Sequence, residues 1–378
     1  MKKICFITTV SATLSSFVMD TAEYLHKNGE YDITFICDYD DKFAGILPEY
    51  IHFIPISMQR GANLKGFAST KEFRRVFKEQ KFDIVQYSTP NASLYASIAA
   101  KQAKIPVRLY CQWGIRYVGF SGAVRSAFKF LEKIVCKNST TIRAVSPMNR
   151  DFAISEGLYQ SDKVKVLGRG GTIGVDLEHY PLEEKATWRN TIRNKYGISA
   201  SHVYGFAGRL NRDKGCNELL ASFKMLSQNN PDIVLLIVGP DEAGDDMDLS
   251  MMTWAKNSQQ VIFTGRIPHT DMPKYYAAMD VLVHPTYREG FGMVIQEAAA
   301  MEVAVLTTGI PGASEVLEEN VSCLLCEPRN SDSLYEKMKE ISNPLLQNQL
   351  AKEARKFVEV HYSRNDMLKR QFEDYESM

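Results

Sequence analysis

No stretch of this chain approaches the roughly 20 consecutive apolar residues that a bilayer-spanning helix needs, although hydrophobic residues make up 45% of it. A helical membrane protein is excluded, and a cytoplasmic location is expected. Lys2 and Lys3 precede an apolar run, Ile4-Cys5-Phe6-Ile7, but the run is short and no cleavage site follows, so it reads as a first strand. Cysteine is scarce: the chain has seven, an odd number, mostly inside strand-like runs as at Cys5, Cys37, Cys323 and Cys326. Cys323 and Cys326 have Cys-x-x-Cys spacing but neither a second pair nor a strand-to-helix redox context, so no zinc and no disulfide are expected. The turn after the first run, residues 9–16, lacks Gly-x-Gly-x-x-Gly, which excludes a dinucleotide-dependent oxidoreductase. No cluster of basic and aromatic residues forms a known nucleic-acid module, and no nucleic-acid partner is expected.

Net charge is also absent, but the balance conceals an asymmetry. Residues 1–165 hold 23 Lys and Arg against 15 Asp and Glu, and the remainder holds 22 against 30. A basic first half fits a phosphate-bearing or membrane-bound partner, while a solvated charge excess is the plainer alternative. A chain of 378 residues exceeds one ordinary core and implies two domains.

What the sequence has in abundance is alternation. Val-, Ile- and Phe-rich runs occur at residues 4–9, 33–37, 52–56, 84–87, 107–111, 141–145 and 164–167, with amphipathic segments such as 15–27 and 91–103 between them. After a glycine-rich joint, Gly168-Arg169-Gly170-Gly171-Thr172-Ile173-Gly174, the pattern restarts at 203–207, 233–238, 261–264, 281–284, 304–307 and 323–326. The expected fold class is α/β, with two Rossmann-like doubly wound domains, each a parallel sheet covered by helices. Residues 1–168 form the first domain, 169–182 a linker, 183–358 the second, and 359–378 a C-terminal helix able to cross back to the first. Ligands of such sheets sit beyond the carboxyl ends of the strands.

Two segments carry more chemistry than a core requires. In Gly208-Arg209-Leu210-Asn211-Arg212-Asp213-Lys214-Gly215, a strand hands over to a helix, and Arg209 and Lys214 are suited to phosphate oxygens; a solvated basic turn is the alternative. In Glu289-Gly290-Phe291-Gly292-Met293-Val294, a second strand gives way to a helix whose first N–H groups and dipole favour a diphosphate. Glu297 lies inside that helix beside Ala298 and Ala299, where a carboxylate needs either ligand hydroxyls or a structural arginine.

Together these segments resemble the donor site of glycosyltransferase family 4, retaining enzymes of the GT-B fold, in which two glutamates are separated by seven residues, here Glu289 and Glu297. The resemblance implies that Arg209 and Lys214 hold the donor diphosphate, that Glu297 binds the ribose, and that Glu289, Gly290, Phe291, Gly292, Met293 and Val294 complete the donor contacts. It makes Arg209, Lys214 and Glu289 the catalytic residues and a nucleotide sugar, by preference a UDP-sugar, the substrate, with no cofactor. The joint, residues 113–117 and Ser146-Pro147 are similar to a narrower group that builds bacterial capsule, exopolysaccharide and O-antigen units. The acceptor implied is a saccharide, free or on a polyprenyl diphosphate. No metal is expected, because no Asp-x-Asp pair of the metal-dependent transferases is expected to stand at a strand end; Asp245-Asp246-Met247-Asp248 reads as a polar loop.

On the acceptor side the chain departs from the family. Ser11, Thr13 and Ser15 stand where glycines are common, and Gln112-Trp113-Gly114 replaces a His-Gly, so these residues with Arg116 are where specificity is expected. Residues 121–137 place Arg125, Lys129, Lys133 and Lys137 at four-residue spacing. Such a helix either lies on an anionic membrane, on the inner face of the cell membrane, or covers the sheet with a solvated basic face. A nucleotide-sugar epimerase and a non-catalytic nucleotide-sugar-binding subunit are the rival functions.

Overall fold

Each of the apolar runs holds one strand in the computed structural model, which describes residues 1–58, 64–242, 244 and 247–378. The strands are β1 (Lys2–Ile7), β2 (Tyr31–Cys37), β3 (Ile51–Pro55), β4 (Ile84–Tyr87), β5 (Val107–Gln112), β6 (Thr141–Ala144), β7 (Val164–Lys165), β8 (His202–Ala207), β9 (Ile233–Val238), β10 (Val261–Phe263), β11 (Val281–His284), β12 (Ala304–Thr308) and β13 (Leu324–Cys326). Among the described residues they form two sheets, of order β3-β2-β1-β4-β5-β6-β7 and β10-β9-β8-β11-β12-β13, with every pairing between strands parallel. The continuous apolar runs follow from burial on both faces: all six residues of β9, Ile-Val-Leu-Leu-Ile-Val, are buried. On β1, Cys5 and Ile7 enter one core with Val85 and Tyr87, while Ile4 and Phe6 enter another with Ile33 and Phe35.

The strand order reverses once in each sheet, between β1 and β4 and between β8 and β11. Reversal opens a crevice at the carboxyl ends of those strands, because the following connections leave towards opposite faces. The segments singled out in the second half, Gly208–Gly215 and Pro285–Glu297, are the connections after β8 and β11.

Two amphipathic segments differ in detail from the sequence expectation. Residues 15–27 belong to two helices, Ser11–Phe17 and Met19–Asn28, meeting at Val18, whose φ of −129° and ψ of −29° break the helical path. The C-terminal segment likewise divides, into Pro344–His361 and Arg364–Glu376, where Tyr362 and Ser363 instead lie along Val175. That strand-like contact is closed by Val175 N–H donating to Tyr362 O and Arg364 N–H donating to Val175 O, at 2.8 and 2.9 Å.

The chain forms two compact units, residues 1–173 with 365–378, and residues 174–364. The last helix is thus part of the first unit. Its Asp374 carboxylate is bonded to Arg143 on β6 and to Lys165 on β7, both Arg143 and Asp374 being buried. Beside them the Tyr375 hydroxyl donates to Gln86 Oε1 and its ring meets Phe6 edge-on at 6.1 Å. Removing one partner of a buried ion pair leaves an uncompensated charge, which costs about 3–5 kcal/mol. Asp374→Ala should therefore lower unfolding free energy by roughly that amount. Urea denaturation measures it, and a loss below about 1 kcal/mol, the range of an exposed pair, would contradict the assignment.

Candidate active site

The loops after β8 and β11 are tied to each other by backbone before any side-chain chemistry is considered. The Asp213 carbonyl accepts from Tyr287 N–H at 2.9 Å and from the Thr286 hydroxyl at 3.2 Å. Asn211 caps the turn Arg212–Lys214 by accepting from Lys214 N–H at 3.2 Å. Gly215 follows with φ +69°, and a Cβ there would stand 1.9 Å from Pro285 O. Only glycine combines that backbone with that approach.

This close approach delivers Lys214 to Glu289. The Lys214 ammonium lies 2.6 Å from Glu289 Oε2, and His284, the last residue of β11, places Nε2 3.0 Å from the same oxygen. Glu289 Oε1 accepts from Gly290 N–H at 3.1 Å. Burial opposes ionisation of Glu289, but the His284 hydrogen bond and the Lys214 charge outweigh it and hold the carboxyl well below the usual carboxylate range. Burial pushes the His284 pKa down, against the pull of Glu289, so the ring is neutral. Because a carboxylate only accepts, Nε2 carries the proton.

The helix Met293–Ala300 begins at Gly292, whose φ of +37° turns the loop into the first helical residue. At its start the N–H groups of Ile295 and Gln296 both donate to the Gly292 carbonyl, at 2.9 and 3.2 Å. Phe291 is buried edge-on against Tyr362 at 5.4 Å, and Gln296 Nε2 donates to its carbonyl at 3.0 Å, which fixes the entry to the helix. Met293 and Val294 are half-buried at the helix start.

Glu297 is buried, and neither of its partners is an arginine. Oε1 meets His269 Nε2 at 2.8 Å and Oε2 accepts from the Tyr276 hydroxyl at 2.7 Å. The hydrogen bond to Glu297 raises the His269 pKa. A carboxylate offers about four acceptor positions, so both oxygens retain capacity for hydroxyls. Glu297 lines a pocket with Met293, His269, Arg364 and Asp176.

Arg209 stands apart from the buried group. Its guanidinium lies 3.3 Å from Glu242, and both side chains are largely exposed. Such a pair contributes about 0–1 kcal/mol and gives way to a stronger anion.

The residues expected on the acceptor side do not converge. Ser11 donates to Asp40 at 2.6 Å, Thr13 is half-buried and Ser15 is exposed. Gln112 is fully buried: its amide donates to Glu132 at 2.7 Å and its carbonyl accepts from Tyr159 at 2.9 Å, so its side chain serves the core. Trp113 packs against Phe17 with ring centroids 5.4 Å apart, and Arg116 covers the Phe128 ring.

Contrary to the sequence expectation, an Asp-x-Asp does stand at a strand end. Asp38-Tyr39-Asp40 directly follows β2, but Asp38 accepts from Met58 N–H, and Asp40 accepts from Phe43 N–H and Ser11. These carboxylates shape loops. Of the other acidic run, Asp245 and Asp246 lie outside the described residues, and Asp248 caps the helix Leu249–Asn257.

His284, His269 and Tyr276 escaped the sequence reading as site residues. His284 had a usable signal, a histidine closing an apolar strand five residues before Glu289; His269 and Tyr276 had none, since only the fold brings them to Glu297.

Residues 189–357 match the model of glycosyl transferases group 1, and residues 3–146 match that of the glycosyl transferase 4-like family. The chain is 29% identical to the capsular polysaccharide biosynthesis glycosyltransferase CapM of Staphylococcus aureus, over 96% of this chain and 93% of that one. It is 24% identical to an Escherichia coli protein named UDP-Gal:alpha-D-GlcNAc-diphosphoundecaprenol alpha-1,3-galactosyltransferase, over 87% and 84%. Among solved structures, HepE of Anabaena in complex with UDP and glucose superposes over the full length of both chains with a TM-score of 0.80 at 20% identity, a likeness of fold.

The close approach at Gly215 has a measurable consequence. Gly215→Ala adds a collision with Pro285 O to the left-handed backbone, whereas Gly265, with φ +71° and nothing within 4 Å of its Cβ position, adds only the backbone cost. That cost is about 1–2 kcal/mol. Thermal unfolding of both variants should show Gly215→Ala clearly the less stable; equal shifts would mean that the two loops are not in contact.

Proposed function

We propose, from the premise that the chain belongs to the GT-B glycosyltransferases through its 4-like and group 1 domains, that it transfers a sugar from a UDP-sugar, with retention, to a polyprenyl-diphosphate-linked saccharide in surface polysaccharide biosynthesis. The observation that carries this reading is the Lys214–Glu289 pair at the reversal of the sheet, beside the start of a helix. The names of the S. aureus and E. coli relatives support the choice of pathway, of uridine and of a lipid-linked acceptor.

Breaking the bond between the sugar and its diphosphate develops negative charge on the leaving oxygen, so preorganised positive charge is the main demand on the protein. Lys214, Arg209 and the helix start at Gly292 supply it. Glu297 accepts from the ribose hydroxyls, and Glu289 orients the sugar with the backbone of Gly290, Phe291 and Gly292. The acceptor hydroxyl attacks the anomeric carbon from the face the diphosphate leaves, the carbon–oxygen bond to the diphosphate breaks, and the leaving phosphate oxygen takes the acceptor's proton. No metal enters this reading. Lys214→Ala should lower kcat by roughly 10²–10³, the cost of removing a preorganised donor to developing charge. Wild-type turnover should be unchanged in excess chelator; near-normal turnover of the variant, or loss of activity in chelator, would refute these roles.

The lipid acceptor requires access to a membrane surface, and the helix Gly122–Asn138 is the element we assign to it. Two of its four basic residues are engaged internally: Arg125 and Lys129 both pair with Glu156. Lys133 and Lys137 are exposed, as is Phe130 on the same side of the helix, so the outer face combines an apolar side chain with positive charge. Co-sedimentation with phosphatidylglycerol vesicles at low salt should be strong for the wild type and weak for Phe130→Glu. Equal recovery of the two would remove the helix from this role.

A further inference from the structure

We propose that His284 is a positioning residue, which keeps the Glu289 carboxylate ionised and in place when the Lys214 ammonium turns from it to the donor diphosphate. The inference rests on the donor-site reading above and adds to it a residue that has no contact with the substrate.

Glu289 Oε2 accepts from two donors of different character. Lys214 reaches it at 2.6 Å through a flexible stem of four methylenes, with its side chain partly exposed. His284 reaches it at 3.0 Å from a ring that is 1% exposed and stacked over Phe206 with centroids 6.5 Å apart. The backbone at His284 is also held, since Thr307 Oγ1 donates to its carbonyl at 2.9 Å. One donor can leave; the other cannot.

The remaining ring nitrogen gives the second observation. His284 Nδ1 is buried and, among the described residues, has no hydrogen-bond partner. Buried polar atoms are nearly always satisfied, so an orphan calls for an explanation. Glu289 supplies one: the ring is oriented by the single bond from Nε2, and the unpaired Nδ1 is the consequence of serving that carboxylate. The charged groups that act on the ring are Glu289 from the loop after β11 and Lys214 from the loop after β8.

A diphosphate competes with Glu289 for Lys214, because each needs the same ammonium. Once Lys214 serves the diphosphate, Glu289 is a buried carboxylate left with the N–H of Gly290 and the N–H of His284. Without His284 it would take up a proton or rotate away from the sugar.

The test compares His284→Leu, His284→Gln and Glu289→Gln with the wild type. Hydrolysis of UDP-galactose and UDP-glucose, the thermal midpoint of each variant, and imidazole nitrogen NMR of histidine-labelled protein with and without UDP are recorded. In the wild type at neutral pH the NMR should show His284 as the neutral Nε2–H tautomer, because burial holds its pKa below that of an ordinary histidine. His284→Leu should lower kcat by about 10–100-fold, the usual cost of losing such a supporting bond, and move its acidic limb to higher pH with little change in donor KM. His284→Gln, whose amide can donate from the same place, should recover most of the loss. A charged ring or Nδ1–H tautomer in the wild type overturns the proposal, and the NMR reads this even without turnover. So does normal kcat in His284→Leu when Glu289→Gln is inactive. Full activity in Glu289→Gln would instead overturn the donor-site reading beneath it.

Discussion

Strands β8 and β11 are neighbours although two strands, β9 and β10, lie between them in the chain, and the connections that follow them leave the sheet on opposite sides. A crevice therefore stands at their ends whatever side chains line it. Lys214 enters it from one connection and Glu289 from the other, and the two meet at 2.6 Å because Gly215 lets the first loop touch the backbone of Pro285. The site is a property of the sheet before it is a property of its residues.

Placing a carboxylate in that crevice has an electrostatic cost that decides what surrounds it. Glu289 is mostly buried, and desolvation alone would favour its neutral form. The His284 hydrogen bond and the Lys214 charge reverse that preference. Glu297 solves the same problem differently, with the Tyr276 hydroxyl on one oxygen and His269 on the other, neither of them a fixed positive charge. One glutamate is held by a charge that a phosphate can claim, the other by groups that leave room for hydroxyls. That difference is the basis for the separate parts proposed for them, sugar and ribose.

Much of the architecture was legible because both sheets are buried on both faces, so strands appear as unbroken apolar runs, as in β9 and β11. Strand-end loops were legible for the opposite reason: Gly208, Arg209, Lys214, Glu289 and Gly290 are residue types that a core does not call for. What the sequence concealed was side-chain partnership across long separations. Gln112 reads as a polar residue after a strand, but Glu132 and Tyr159 turn it into a core residue. Arg125 and Lys129 read as half of a basic helix face, but Glu156 takes them both. Asp38 and Asp40 have the spacing of a metal-binding pair after β2, and only their loop bonds show that they are occupied in holding the backbone.

The central claim is that the crevice between β8 and β11 receives the donor diphosphate and that Lys214 changes partner when it does. A crystal structure of the protein soaked with UDP addresses it most directly. The diphosphate should lie at the start of the helix Met293–Ala300, with Lys214 Nζ on a phosphate oxygen and Glu289 retained by His284. A nucleotide bound elsewhere, or a diphosphate in place with Lys214 still paired to Glu289, would contradict it.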